Sequence, residues 1–251
     1  MKVAVLGPEG TFTHQAAHVY FDNLEPAFYS SLIEVFESDI KTKIVPFENS
    51  LGGSVDQTID LLKEKENYIT NEQIIKISLN LVSIDKLSNL KRVYSHPKAF
   101  SQCQKLMSEY QWETIEMSST AKAAQIVGAS EGAIASKLAA QINNLNILKR
   151  DVQDKTSYTR FLILNDETKG GNKTSFILEP GKDYPGLLKD ILSCFADRHI
   201  NLSYIQSRPT KNKFGEYFFY LEAEVSRTDG SYEGLIDDLK KLTRVKVVGT
   251  Y

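Results

Sequence analysis

The sequence predicts an α/β protein in two parts: a two-lobed layered domain with a cleft over residues 1–166, and a ferredoxin-like βαββαβ unit over residues 173–251. Short apolar strands alternate with helical patterns in the first part, and the second part has the element order of the smaller fold. The polar, glycine-bearing stretch 165–172 between them has no apolar periodicity and is typical of a linker.

The first lobe is predicted from two strand and helix pairs. A strand is expected from Val3 to Leu6, with a helix from Thr13 to Phe21 after it. The next pair is a strand from Thr42 to Pro46 and a helix from Val55 to Lys63. This alternation indicates a sheet with helices on its faces.

The second lobe repeats the pattern. Ile74 to Ile84 is predicted as one long apolar strand, and Arg92 to Ser95 as a strand before a helix from Lys98 to Tyr110. A strand from Gly132 to Ala135 and a helix from Lys137 to Ile142 follow. Two α/β lobes predict a ligand cleft beyond the carboxyl ends of their strands.

The second part has six predicted elements, which together give an antiparallel sheet with two helices on one face. In chain order they are strand Thr174–Leu178, helix Leu187–Arg198, strands Leu202–Ser207 and Glu216–Glu224, helix Tyr232–Lys241 and strand Val245–Val248.

Composition narrows the function. The 251 residues include 41% hydrophobic and 25% charged residues with a formal net charge of -2, which is ordinary for a globular protein. We expect no nucleic-acid partner because no basic stripe is present. No apolar run of about 20 residues and no signal-peptide pattern occur, so we expect no membrane partner and a cytoplasmic location. Cys103 and Cys194 fall in helical patterns typical of buried thiols.

Hydrogen-bond donors dominate the candidate site. Thr159 and Arg160 place a hydroxyl beside a guanidinium, and a guanidinium matches a carboxylate. Helix starts rich in glycine or hydroxyl residues can also bind carboxylates through their free N–H groups. Four such starts lie at residues 10–13, 48–54, 118–121 and 135–136, and each taken alone is better explained as an ordinary N-cap. Together they predict a cleft for a small dianion.

Two other patterns do not predict a cofactor. His14 and His18 have the spacing of zinc ligands, but Gln15 stands where a metalloprotease has its glutamate base, so we expect no metal. The turn at residues 7–10 contains a proline and lacks the glycine spacing of dinucleotide-binding turns. We therefore expect no cofactor.

In order along the chain, several motifs resemble those of the prephenate dehydratase family with a C-terminal regulatory ACT domain, over nearly the whole length. In the first part they are Gly7–His14, Val45–Ser50, Ser95–Pro97, Ser119–Ala121 and Thr159–Phe161, and in the second part Tyr184–Leu188 and Gln206–Pro209. The resemblance implies a two-lobed, periplasmic-binding-protein-like catalytic domain without a cofactor.

By this resemblance the protein is a lyase of phenylalanine biosynthesis that converts prephenate to phenylpyruvate by loss of water and carbon dioxide. Thr159 would hydrogen-bond the leaving hydroxyl, and Arg160 would contact a substrate carboxylate or close the cleft. The remaining residues implied to bind substrate are Thr11, Asn49, Ser50, Ser119, Thr120 and Phe161.

The resemblance also implies L-phenylalanine as allosteric effector and a homodimer or homotetramer. The implied effector residues are Gly186, Leu187, Leu188, Asn201, Leu202, Gln206, Ser207, Arg208 and Pro209. Two positions depart from the family pattern: Gln206 replaces a glutamate, which predicts weaker feedback, and Ser157 replaces an asparagine.

Two alternatives share these features. Arogenate dehydratase would act on a substrate with an amino group where prephenate has a keto oxygen. A non-catalytic two-lobed sensor of periplasmic-binding architecture would bind a small dianion or amino acid without turnover. The hydroxyl of Thr159 favours an enzyme, because binding alone needs no donor for a leaving group.

Overall fold

The computed structural model describes residues 1–211 and 215–251. The chain forms two compact units: residues 1–54 with 73–161, and residues 55–72 with 162–251. The second unit thus includes a segment from the amino-terminal part of the chain. The predicted domain limits, 1–166 and 173–251, stay a prediction.

The described residues form fifteen strands and nine α-helices. They are β1 (Lys2–Leu6), α1 (Phe12–Tyr20), β2 (Glu25–Tyr29), α2 (Leu32–Glu37), β3 (Lys43–Asn49), β4 (Gly53–Ser54), α3 (Asp56–Glu64), β5 (Tyr68–Ile77), β6 (Asn80–Ser83), β7 (Arg92–Ser95), α4 (Pro97–Gln102), α5 (Gln104–Glu109), β8 (Glu113–Glu116), α6 (Thr120–Gln125), β9 (Glu131–Ala135), α7 (Lys137–Ile142), β10 (Asn146–Lys149), β11 (Ser157–Asn165), β12 (Thr174–Pro180), α8 (Leu187–Ala196), β13 (Leu202–Pro209), β14 (Tyr217–Ala223), α9 (Tyr232–Leu242) and β15 (Thr243–Thr250).

The first unit contains two sheets, as the two predicted lobes require. One has the strand order β11-β3-β1-β2, with β1 parallel to β2 and β3. The other has the order β10-β6-β9-β7-β8, in which β7 is parallel to β8 and β9 while β6 is antiparallel to its neighbours. The α/β prediction is confirmed.

Buried small and branched side chains hold these two sheets to their helices. Val3, Val5 and Ile44 have no exposed surface in the first sheet. Alanines of β9, α6 and α7 form much of the second core, so these helices can pack closely on the strands.

The predicted helix starts have capping hydroxyls. The hydroxyl oxygens of Thr11, Ser119 and Ser136 accept N–H bonds at the starts of α1, α6 and α7. Ser136 is fully buried and its hydroxyl donates to the carbonyl oxygen of Gly10 at 2.8 Å. This hydroxyl therefore has a structural role in joining the two lobes.

The second unit has the predicted βαββαβ order, β12-α8-β13-β14-α9-β15. Strand β12 is antiparallel to β14 and β15, and β13 is antiparallel to β14. Helices α8 and α9 pack on the sheet around Phe176, Phe195, Leu221 and Leu235, which are at most 1% exposed. The stripe of apolar residues along each helix is the signal that predicted them.

Two predicted elements are wrong in extent. The strand expected over Ile74–Ile84 is interrupted after Ile77, and β6 starts at Asn80 in the other sheet. The helix expected over Lys98–Tyr110 is broken at Cys103, because the carboxylate of Asp154 accepts the N–H of Gln104 at 2.8 Å and caps a new helix there. Among the described residues, no helix is long and apolar enough to cross a membrane.

Candidate active site

Thr159 lies on β11, where strand geometry separates it from its neighbour Arg160. Successive side chains of a strand point to opposite faces. Thr159 and Phe161 line a cavity of about 310 Å³ in the first unit, whereas Arg160 is not among its lining residues. The two residues predicted to act side by side therefore lie on opposite faces of β11.

Arg160 is held on the other face of β11. Its Nη2 lies 3.3 Å from a carboxylate oxygen of Glu48, and its guanidinium carbon lies 4.5 Å from the ring centroid of Phe47. Both contacts are with the end of β3 that carries Asn49. The predicted contact between Arg160 and a substrate carboxylate stays a prediction, and it would require the guanidinium to move.

Asn49 connects the β3–β4 turn to β11. Its Nδ2 donates to Thr159 Oγ1 at 2.9 Å and to the carbonyl oxygen of Tyr158 at 3.2 Å. Its Oδ1 accepts the N–H groups of Leu51 and Gly52 at 3.0 and 2.9 Å. Because only an oxygen can accept two backbone N–H groups, these bonds fix which way the amide faces.

The orientation of Asn49 determines what Thr159 can donate. Since Oγ1 accepts the Asn49 N–H bond, the Thr159 hydroxyl proton must point elsewhere. Thr159 is 9% exposed and lines the cavity, so its proton is available to a group bound there. Asn49 is thus a positioning residue for the Thr159 hydroxyl.

The cavity brings together six of the eight residues predicted for catalysis and substrate binding. They are Thr11, Asn49, Ser119, Thr120, Thr159 and Phe161. Besides Arg160, the structure does not place Ser50 in this lining; its Oγ accepts the N–H of Tyr158 at 3.0 Å. Ser50 therefore fastens the start of β11 to the β3–β4 turn.

The two capping hydroxyls in the cavity differ in what they can still donate. Thr11 Oγ1 donates to the carbonyl oxygen of Leu6 at 3.0 Å and accepts the His14 N–H at 3.3 Å. Ser119 Oγ accepts the N–H of Lys122 at 3.0 Å, which leaves its own proton for a ligand. Ser119 is therefore the better donor of the two.

His96, which belongs to the Ser95–Pro97 motif, also lines the cavity, together with the polar residues Lys98 and Gln102, which were missed from the sequence. His96 Nδ1 accepts the N–H of Lys98 at 3.1 Å, so its Nε2 carries the proton of the neutral ring. Burial, reinforced by the charge of Lys98, lowers the pKa of His96, and Glu116 opposes this only in part. The sequence signal for these residues is the Ser95-His96-Pro97 motif, because a proline after a capping residue indicates the start of a helix.

The contacts of His14 hold the turn before α1 and the rings around it. Its Nδ1 accepts the N–H of Gly10 at 3.2 Å, and its ring lies 4.5 Å from that of His18 and edge-on to Phe28. Burial, together with the nearby His18, lowers the pKa of His14 to about 4, so the ring is neutral near pH 7.

The predicted effector residues belong to two elements of the second unit. Leu187 and Leu188 begin α8 after its N-cap Gly186, Asn201 precedes β13, and β13 carries Leu202, Gln206, Ser207, Arg208 and Pro209. Leu187 and Ser207 line a groove of about 610 Å³. Gln206 and Arg208, which alternate with Ser207, bind α3 instead. The Gln206 amide donates to Asp56 at 3.0 Å, so the side chain expected to meet an effector is engaged by this helix.

Arg208 is the centre of the contact with α3. Its Nε and Nη2 donate to the two carboxylate oxygens of Asp60 at 3.1 and 2.9 Å, and its Nη1 donates to Asp56. Burial raises the pKa of Asp60, but the hydrogen bonds and charges of Arg208 and Lys211 outweigh burial and hold this pKa below its ordinary value. This fork geometry is the strongest form of arginine–carboxylate pairing.

The donor-lined cleft between two α/β lobes and the βαββαβ unit define a class of two-lobed, periplasmic-binding-protein-like enzymes with a C-terminal ACT domain. Residues 3–169 match the family described as prephenate dehydratase, and residues 181–242 match the ACT domain. The chain belongs to the prephenate dehydratase family, and it is an enzyme of the carbon–oxygen lyase class.

Known proteins support this assignment over the whole chain. A bifunctional chorismate mutase/prephenate dehydratase of Aquifex aeolicus is 38% identical over 100% of this chain and 73% of its own length. A prephenate dehydratase of Methanocaldococcus jannaschii is 36% identical over 97% of this chain and 95% of its own. A prephenate dehydratase structure from Arthrobacter aurescens, in complex with L-Phe, is 28% identical with a TM-score of 0.88, covering 100% of this chain and 90% of that one.

Proposed function

We propose that the protein converts prephenate to phenylpyruvate and that L-phenylalanine regulates this reaction. The observation that carries the catalytic proposal is the bond from Asn49 Nδ2 to Thr159 Oγ1, because it leaves the hydroxyl proton of this cavity-lining residue to be donated to a ligand. A directed donor at this place can stabilise the negative charge that develops on a departing hydroxyl.

In the proposed step, the bond between the ring and its carboxylate breaks, and its electron pair forms a ring double bond as the ring hydroxyl departs. The products are carbon dioxide, water and phenylpyruvate, and one proton is consumed. Thr159 donates its hydrogen bond to the leaving oxygen. Because aromatisation supplies the driving force, the cleft has to orient the substrate and exclude water more than it has to form covalent bonds.

The neutral donors Ser119, Thr120 and the N–H groups at the start of α6 would bind oxygen atoms of the substrate. The Thr11 hydroxyl already donates to the carbonyl oxygen of Leu6, so Thr11 would mainly hold the start of α1 in place at the cavity. Phe161 is 1% exposed and gives the cavity a planar apolar wall suited to a ring.

The test is phenylpyruvate formation by the purified protein, with prephenate and arogenate supplied in parallel and with or without L-phenylalanine. We expect turnover of prephenate and suppression by L-phenylalanine. Preferential turnover of arogenate would establish the rival substrate. Saturable binding of prephenate without turnover of either compound would favour the sensor.

Regulation is supported by the groove beside Leu187 and Ser207 and by the L-Phe complex of the Arthrobacter aurescens relative. Strand β13 is the last in the order of its sheet, and Ile205 at its middle is 46% exposed. Leu202 and Arg208 are six residues apart, about 20 Å along the strand. Antiparallel pairing of β13 with its copy would bring these two ends together, which supports a homodimer with effector at the interface.

Helix α3 provides a route from effector to substrate. Arg208 and Gln206 bind this helix, and the chain reaches its start directly from the turn that contains Asn49. Movement of β13 on effector binding would therefore pull on α3 and, through the chain, on the residue that positions Thr159. We include this route in the proposed regulation.

A further inference from the structure

The cavity of the first unit is lined almost entirely by neutral side chains. Within the part of the chain that the structure describes, Lys98 is the one lysine or arginine of this lining, which contains no aspartate or glutamate. Burial and the charge of Lys98 lower the pKa of His96 beside it, and Arg160 is bound to Glu48 on the other face of β11. A dianionic substrate thus meets a single cation.

The two carboxylates of prephenate have different fates. The ring carboxylate must lose its charge as carbon dioxide, whereas the side-chain carboxylate stays charged in phenylpyruvate. An ion pair with the first would stabilise the ground state more than the transition state and would slow the reaction. An ion pair with the second binds substrate and transition state equally.

The lining also contains apolar side chains. Ile77 on β5 and Phe161 on β11 come from the first sheet and contribute apolar side chains, and Phe161 is on the same face of β11 as Thr159. Apolar surroundings disfavour a carboxylate and favour neutral carbon dioxide. Lys98, at the start of α4, follows β7 of the second sheet, so the cation and these apolar side chains come from different lobes.

We infer that Lys98 binds the side-chain carboxylate that the product retains, and that it fixes the direction in which the substrate lies in the cleft. This inference rests on the proposed function. The N–H of Lys98 is already bonded to His96, which fixes the backbone from which the flexible side chain extends.

The test compares Lys98→Met with Lys98→Arg and with Lys122→Met, which removes an exposed charge from the start of α6 outside the cavity lining. For Lys98→Met we expect KM for prephenate to rise about tenfold or more, with kcat within about twofold. The Kd of phenylpyruvate, measured by titration calorimetry, should rise by a similar factor. In Lys98→Arg, the KM for prephenate and the Kd of phenylpyruvate should stay close to those of the wild-type protein. Lys122→Met should change neither constant.

Unchanged KM and unchanged phenylpyruvate affinity in Lys98→Met would overturn the inference. So would a fall in kcat at constant KM, because it would place the cation at the reacting end. If the wild-type protein does not turn over prephenate, the proposed function fails separately, and phenylpyruvate affinity still decides the role of Lys98. Absence of both prephenate turnover and phenylpyruvate binding in the wild-type protein would overturn both.

Discussion

The cavity of the first unit and the contact between β13 and α3 use polar groups in opposite ways. In the cavity, a neutral amide, Asn49, holds a neutral hydroxyl, Thr159. At β13, the cation Arg208 holds the anions Asp56 and Asp60. Neutral donors can act on charge that forms only during reaction, whereas a permanent ion pair holds two segments together and responds to salt and pH. The first arrangement suits catalysis and the second suits control.

The largest expected effect is that of Thr159→Val, which removes the hydroxyl and keeps the shape. We expect kcat to fall about 100- to 1000-fold, because a donor to the leaving oxygen is lost. Steady-state phenylpyruvate formation measures this effect, and Thr114→Val on the exposed strand β8 is the matched control. Near-normal turnover by a folded Thr159→Val protein would disprove the role of this hydroxyl.

Asn49→Ala should lower kcat by about tenfold or more, since the Thr159 hydroxyl loses the bond that orients it. The effect should depend on Thr159, because both residues act on the same oxygen. In a Thr159→Val background, Asn49→Ala should therefore cost little further activity. Additive losses in kcat would show that Asn49 contacts the substrate independently.

Asp60→Asn tests the charged contact. We expect the free energy of unfolding to fall by about 2 kcal/mol, since Arg208 loses a charged partner while volume is conserved. Inhibition by L-phenylalanine should weaken as the link between β13 and α3 loosens. Urea unfolding and inhibition curves measure the two effects, with exposed Asp237→Asn as control. A loss of stability with unchanged inhibition by L-phenylalanine would show that the contact between β13 and α3 does not transmit the effector signal.

Low pH should also remove the stabilisation by Asp60 in the wild-type protein, because it protonates the carboxylate that Arg208 binds. The pKa of Asp60 is lower in the folded than in the unfolded chain, so its contribution to stability is complete above its ordinary pKa of 3.8 and disappears as pH falls through the folded value. The stability difference between wild type and Asp60→Asn should shrink below pH 3.8. A constant difference across this range would contradict the ion-pair explanation.

Gln206→Glu should have the smallest effect. A carboxylate at this position would face Asp56, which now accepts the Gln206 amide N–H. We expect a loss of about 0.5 kcal/mol in the free energy of unfolding, because like charges would meet at a partly exposed site. Urea unfolding at low and high salt measures it, and a gain in stability would mean that Gln206 is not held by α3.

The elements with clear periodicity were predictable from sequence, including β1, α1, β7 and the whole βαββαβ unit. Strand β2 and helix α2 were missed, because both leave much of their surface exposed and lack a continuous apolar stripe. The interruption after Ile77 was invisible because the segment stays apolar as it passes from one sheet to the other. Local patterns do not say which sheet a strand joins.

The candidate site was predictable in its residue types and less so in its geometry. The sequence placed Thr159 beside Arg160, but strand alternation sends Arg160 to Glu48. Ser50 has a hydroxyl that could donate to a substrate. Its Oγ instead accepts the N–H of Tyr158, which is 108 residues away in the sequence, so local patterns do not predict this bond. Lys98 was overlooked because an exposed lysine at a helix start has no distinctive pattern.

Gly10 lies at a close contact between the two lobes of the first unit. Its φ is +87°, and a Cβ there would lie 3.0 Å from the Cα of Ala139, while Ser136 donates to its carbonyl oxygen. Thr11, the next residue, lines the cavity. A side chain at Gly10 would require the turn before α1 or the start of α7 to shift, so the close approach of these two segments depends on the absence of a single carbon atom.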